Sequence, residues 1–311
     1  LAPSTLLASV PLAATVVALS AVAFPAQAGT TALDRATRAL VAAQGDFGDF
    51  KRTWSWRPGD ARPAPNAAGL VAAALVRTYR RTGDGRALEA ARAWAEARAG
   101  ELDRWAPVYD GDVEALVALY RATGEARYAR LAARAFETRW GGATPRETFA
   151  YVVQHRAAAP ELVLYDVALI LRAAAGVGRT AYAHALAEQA IAFDEAHPKL
   201  SGVWAETSRA ALADALLWLD ARRYEAAIGR LAARLIRAID EAGHVAGSVQ
   251  ATAYAVRALA RIDDAPAQRA ARQARRWLEA QQAPDGTWSQ KGERPHALTA
   301  EVAVALAQGQ P

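Results

Sequence analysis

Four carboxylates, Asp110, Asp112, Asp166 and Glu206, stand where polar connectors give way to apolar runs, each with an aromatic residue or a glycine close by. Two carboxyls held about 5–10 Å apart cleave a glycosidic bond, one as acid and the other as nucleophile or base. The same connectors are rich in flat rings suited to stacking on sugars: Trp54, Trp56, Trp105, Tyr109, Tyr151 and Trp204, with Tyr165 just inside the run that follows. Arg57, Arg146, Arg209 and Arg294, together with His155 and His296, complete the polar set. Guanidinium groups hold carboxylates bidentately, so an acidic sugar is a natural substrate, and a lyase would use Tyr, His or Arg to take the proton α to its carboxylate. A plainer role competes with each assignment. An acid in the first turn of a helix caps it and complements its dipole, and a connector Trp packs beneath its own loop.

Composition removes other chemistries. The chain has no cysteine, which excludes disulfides, thiolate nucleophiles, sulfur-ligated metal sites, and with them protein-prenyltransferase and lanthionine-cyclase chemistry. The five histidines, at 155, 184, 197, 244 and 296, show no metal-ligand spacing, so no metal or cofactor is expected. Gly176-Val-Gly178 ends a helix and is not a nucleotide loop. The net charge of +5 comes almost wholly from arginine and is spread through the helices without a stripe, so a nucleic-acid partner is not expected. The expected partner is a carbohydrate. Nothing in the sequence fixes an oligomeric state.

The segment from Thr5 to Phe24 is apolar and uncharged and leads into Pro25-Ala26-Gln27-Ala28, with small residues where a signal peptidase reads. Residues 1–28 are therefore expected to be a signal peptide and residues 29–311 an exported domain, periplasmic or secreted, free of the membrane after cleavage.

The elements that must position the candidate site form a repeat. Alanine-rich apolar runs begin near Asn66, Asp110, Glu161, Thr207, Val249 and Ala297, about one helical hairpin apart. Between them lie helices with a single apolar stripe, such as Tyr128, Leu131, Ala132, Ala135 and Phe136, backed by arginine. A helix apolar all round must be covered on most sides, so six of each kind predict two concentric rings: an all-α, (α/α)6 toroid of six helical hairpins. The long connectors all run from an outer helix into the next inner one, which gathers them at one mouth.

Gln282-Ala-Pro-Asp-Gly286-Thr-Trp288 reads Gln-x3-Gly-x-Trp, Gln44-x3-Gly48-x-Phe50 is a degraded copy, and Gly202-Val203-Trp204 is the tail of a third. These residues resemble the repeat of squalene cyclases and prenyltransferase β-subunits, which implies an α/α toroid with Gln capping backbone groups and Trp stacking beside it. The chain lacks the Asp-x-Asp-Asp acid of those cyclases, Asp110-Gly111-Asp112 being the nearest match. The Thr-Gly-Asp/Glu turns and the Leu278–Trp288 stretch also resemble exported α/α-toroid polysaccharide lyases and glycosidases. The function expected is that of an exported carbohydrate-active protein, hydrolase or lyase, acting at the connector mouth. A non-catalytic binding toroid and a terpenoid-cyclase relative are the alternatives.

Overall fold

Alanine decides how closely the inner helices can approach. Helix α2 (Pro65–Thr82) buries Ala67, Ala68, Ala72, Ala73 and Ala74 together with Val71, Leu75 and Val76, so it is apolar around nearly its whole circumference. The computed structural model describes residues 31–102 and 108–308; the expected signal segment and Trp105 lie outside the described residues. Five more helices of the same kind follow: α4 (Asp110–Thr123), α7 (Val163–Gly176), α9 (Val203–Asp220), α11 (Val249–Leu259) and α13 (His296–Ala307). Each packs on the next, and α13 returns to α2, which closes the ring.

Outside it run α1 (Ala32–Ala42), α3 (Gly85–Glu101), α5 (Ala126–Trp140), α8 (Thr180–Ala196), α10 (Glu225–Ala238) and α12 (Ala265–Ala280). Their burial is one-sided, as the stripes require. On α5 only Tyr128, Ala132, Ala135, Phe136 and Trp140 are buried, and on α10 Ala227, Ile228, Leu231, Ala232 and Leu235. The protein is an (α/α)6 toroid. Two connectors carry structure of their own. A short hairpin pairs β1 (Gly45–Phe47) with β2 (Phe50–Thr53), and the segment between α5 and α7 forms α6 (Pro145–His155), capped reciprocally by Thr144 and Glu147.

The glutamine–tryptophan repeat staples consecutive hairpins. Gln282 donates from Nε2 to the carbonyls of Ala32 (2.8 Å) and Gly286 (2.9 Å), so it ties the end of α12 to the start of α1. Gly286 has φ 86°, and a Cβ there would lie 2.5 Å from the Arg35 carbonyl oxygen, so glycine is required on both counts. Trp288 is fully buried and donates from Nε1 to the Leu278 carbonyl (2.7 Å).

Gln44 repeats the arrangement, reaching Ala90 on α3 (2.8 Å) and Arg52 (3.0 Å). Here the structure corrects two expectations. The aromatic partner is Trp54 and not Phe50, because the β1–β2 hairpin is inserted ahead of it; Trp54 Nε1 donates to the Leu40 carbonyl (2.7 Å) and the ring is 0% exposed. Trp54 therefore cannot stack on a ligand. Trp204 is 40% exposed and does not form a third packed copy.

Trp54→Ala and Trp288→Ala should each cost about 3–5 kcal/mol in denaturant unfolding, as for large buried truncations. A loss below about 1 kcal/mol at either position would contradict the staple role.

Candidate functional site

At the connector end, α4, α5, α6 and α7 surround a cavity of about 290 Å³. Tyr109, Asp110, Trp140, Tyr151, His155 and Asp166 line it. Its floor depends on two glycines. A Cβ on Gly69 of α2 would lie 2.3 Å from the carbonyl carbon of Gly111 and 2.4 Å from the Asp112 nitrogen, so α2 and the first turn of α4 meet backbone to backbone. Any side chain at Gly69 would push that turn, and Asp110 with it, outward.

The two carboxyls in the cavity have different surroundings. Asp110 accepts a hydrogen bond from Trp140 Nε1 (2.8 Å) and lies 3.3 Å from Arg139 Nε. Burial pushes its carboxyl above the ordinary aspartate value against the pull of Arg139 and the Trp140 bond, and Asp166 adds to the rise. Asp166 is gripped through both oxygens by Arg156, at 2.6 and 3.1 Å. A ring wall stands beside them: Tyr151, 53% exposed, stacks on His155 at 5.7 Å and meets Trp140 edge-on at 5.9 Å.

The remaining sequence candidates are dispersed. Asp112 is 1% exposed; it accepts from Arg98 Nη2 (2.9 Å) and from the Tyr109 N–H (3.1 Å), and burial pushes it up to about 6. It caps α4 from inside and is no partner for Asp110 in the cavity. Arg209, 1% exposed, is an internal strut and not a substrate ligand, with bonds to Asp194 (2.9 Å), Glu206 (2.8 Å) and the Leu200 carbonyl (2.8 Å). Glu206 gives Oε1 to Arg209, while its Oε2 is buried without a hydrogen-bond partner. His296 is 4% exposed and sits under the loop where its N–H meets the Trp56 carbonyl (2.9 Å). Arg294 pairs with Asp285 (2.8 Å) on the surface. Trp56 and Trp204 remain half-open at the rim.

Tyr165 points to a set of axial residues most of which the sequence reading missed; Glu114 alone among them was read there, as an acid near the rim. Its hydroxyl reaches Glu301 Oε1 (3.3 Å), which also accepts from Tyr254 (3.1 Å) and Gln250 (3.1 Å). Deeper along the axis, Glu114 of α4 pairs with Arg77 of α2 and with Arg172 of α7 (2.9 Å). Arg172 pairs in turn with Asp214 of α9, which also takes Arg257 (3.0 Å) and Arg261 (2.7 Å). Burial alone would raise Glu114, but Arg172 and Arg77 outweigh it and hold it at about 2. Asp214 is likewise held well below the ordinary range by Arg172, Arg257 and Arg261 against its burial. The signal was present as charged residues inside the apolar runs, in Leu171-Arg172-Ala173 and Ala213-Asp214-Ala215.

No protein-family model matches the chain. No curated protein matches it by sequence. Solved structures do share its fold. A variant of the type II terpene cyclase MstE from Scytonema, in complex with geranylgeranyl dihydroxybenzoate, is 19% identical with a TM-score of 0.61 over 89% of this chain and 96% of the other. An unsaturated glucuronyl hydrolase specific for heparin is 13% identical with a TM-score of 0.59 over 89% and 96%. At such identities the likeness is one of fold, the α/α toroid.

Because Glu114 and Asp214 sit lower in the folded chain than in the unfolded one, their contribution to stability is complete above about pH 4.5 and is lost as pH falls toward 2. Urea midpoints should drop through that window. Glu114→Gln should be less stable near neutrality by about 3 kcal/mol, since it leaves Arg77 without its carboxylate and the buried Arg172 with Asp214 alone, and should show a flatter acid limb. An acid limb identical to that of the unsubstituted protein would refute this.

Proposed function

We propose that the protein is an exported enzyme that hydrolyses an acidic oligo- or polysaccharide in the cavity between α4, α5, α6 and α7. One observation carries this reading: Asp110 and Asp166 share a single cavity in opposed environments, one buried and pushed toward its protonated form, the other clamped by Arg156. Two carboxyls held so differently in one cavity suit the roles of acid and base. Asp110 gives its proton to the glycosidic oxygen as the bond to the sugar breaks. Water adds to the sugar carbon and passes a proton to Asp166. Tyr151, His155 and Trp140 offer ring faces and edges for the sugar, and Arg139 and Arg156 offer guanidinium groups for a uronate. The shared fold with a glucuronyl hydrolase supports the same substrate class. Against a cyclase role, a polyisoprenoid needs an enclosed apolar chamber, whereas the toroid axis is filled by ion pairs. A lyase reading has one specific support, the His155 ring at the rim, where a base could take the α-proton.

Purified protein would be screened on uronate-bearing and neutral glycans, following reducing ends for hydrolysis and ultraviolet absorbance for an unsaturated lyase product. Asp110→Asn and Asp166→Asn should each lower turnover about 10²–10⁴-fold with little change in melting temperature. The rate should fall as pH rises through the elevated Asp110 value. A variant retaining most of the activity would remove its residue from the mechanism, and absorbance without new reducing-end hydrolysis would transfer the assignment to a lyase. N-terminal sequencing of exported material should begin at Gly29.

A further inference from the structure

The opposite end of the toroid, where the inner helices finish in short turns, holds a second cavity of about 340 Å³. Its lining is dominated by arginine. Arg77, Arg80 and Arg81 come from α2, Arg121 from α4 and Arg172 from α7, while Arg261 follows α11. Glu114 lines the same space, and Asp214 stands behind it, holding Arg172 and Arg261. Those two carboxylates are already committed to the axial network. Arg80, Arg81 and Arg121 have no carboxylate partner among the described residues.

A helix C-terminus does favour a cation in its last turn, worth about 0.3–1 kcal/mol, and this accounts for one arginine per helix. It does not account for the rest. Arg172 is 8% exposed, yet its Nε has no hydrogen-bond partner, a buried donor left open on a residue that lines the cavity. Arg121 is exposed, with its guanidinium over the Trp218 ring, 4.5 Å from the ring centre. The crowding also registers in the charges: burial and the neighbouring Arg172 and Arg257 bring Arg77 down to about 10 despite Glu114, and burial, Arg172 and Arg80 lower Arg121.

We propose that this cavity is a binding site for a small anion carrying two phosphoryl groups, separate from the glycan cavity at the mouth. The volume is at the lower end of small-molecule pockets, about 300–1,000 Å³. Six guanidinium groups line the cavity against one carboxylate, Glu114, and Asp214 behind it is matched by Arg257, so the local excess is five positive charges. A phosphoryl group carries about −1.5 to −2 near neutral pH, so two of them offset most of that excess, whereas one sulfate or one carboxylate leaves most of it unmet. Guanidinium forks match phosphate oxygens in pairs.

Inorganic pyrophosphate is the probe, titrated calorimetrically into the protein at about 0.15 M salt, with inorganic sulfate in parallel. Saturable one-to-one binding of pyrophosphate, tighter than that of sulfate and accompanied by a change in Trp fluorescence, is expected. Arg80→Gln with Arg121→Gln, both exposed enough to leave the fold intact, should weaken it by roughly tenfold or more. Arg272→Gln with Arg276→Gln, on the exposed face of α12, should leave it unchanged, as should Asp110→Asn at the far end. Absent saturation, equal affinity for sulfate, or equal loss from the α12 pair would each overturn the proposal.

Discussion

Six helices standing side by side around an axis must fill that axis, and alanine cannot reach across it. The chain solves this with charge. Arg172 spans from Glu114 to Asp214, Arg77 closes on one side, and Arg257 and Arg261 close on the other, so five inner helices are joined through two buried carboxylates. Such pairs add little net stability over a well-packed apolar core, because desolvation offsets most of the Coulomb gain; stranding one member is what costs heavily. Their consequence here is register. An inner helix shifted by a turn would leave a guanidinium or a carboxylate alone in the core, so the network selects one stacking of the ring from several that alanine would tolerate. It also makes the toroid solid along its axis and separates two ends that are free to differ.

Two-ring architecture was legible because burial writes itself into periodicity. An outer helix keeps one apolar stripe and an inner helix keeps none of its faces polar, and both patterns survive without any knowledge of what touches what. The connector helix α6 was not read from the sequence, where this stretch stands as a connector, although Thr144-Pro145-Arg146-Glu147 carries a capping Thr, a proline at the first helical position and a glutamate at the third. What periodicity cannot report is which of two neighbouring residues turns inward. Trp54 and Trp56 share a connector and a chemistry; one is sealed against Leu40 and the other stands 40% open. Asp110 and Asp112 likewise share one turn of helix. Asp110 looks into the cavity and Asp112 turns back to the Tyr109 N–H and Arg98. The partners that give Asp110 its character, Arg139 and Trp140, lie at the end of an outer helix, far from it in sequence.

The inner helices all point the same way, and this polarity organises the rest. Their N-termini gather at the mouth, where partial positive charge stabilises the carboxylates of Asp110, Asp112 and Asp166 in first helical turns. Their C-termini gather at the other end, where Arg80, Arg81 and Arg121 face partial negative charge. Six parallel dipoles repel one another, and cations and anions at opposite ends are the cheapest way to relieve that repulsion. The segregation of charge is therefore first a condition of closing the ring, before any ligand is considered.

Function enters as a departure from that minimum. At the mouth the dipoles ask only for ionised acids, yet burial opposes the charge of Asp110 more strongly than Arg139 and the Trp140 hydrogen bond favour it. At the far end they ask for about one cation per helix, yet α2 alone brings Arg77, Arg80 and Arg81 to the same space, and a buried donor of Arg172 is left open. Stability does not require either excess. Each is located in a cavity, each involves groups whose protonation is displaced by their surroundings, and the ion-paired axis lies between them. A fold under selection for closure alone would have paired Arg80, Arg81 and Arg121 internally, as it did Asp112 with Arg98 and Arg209 with Asp194.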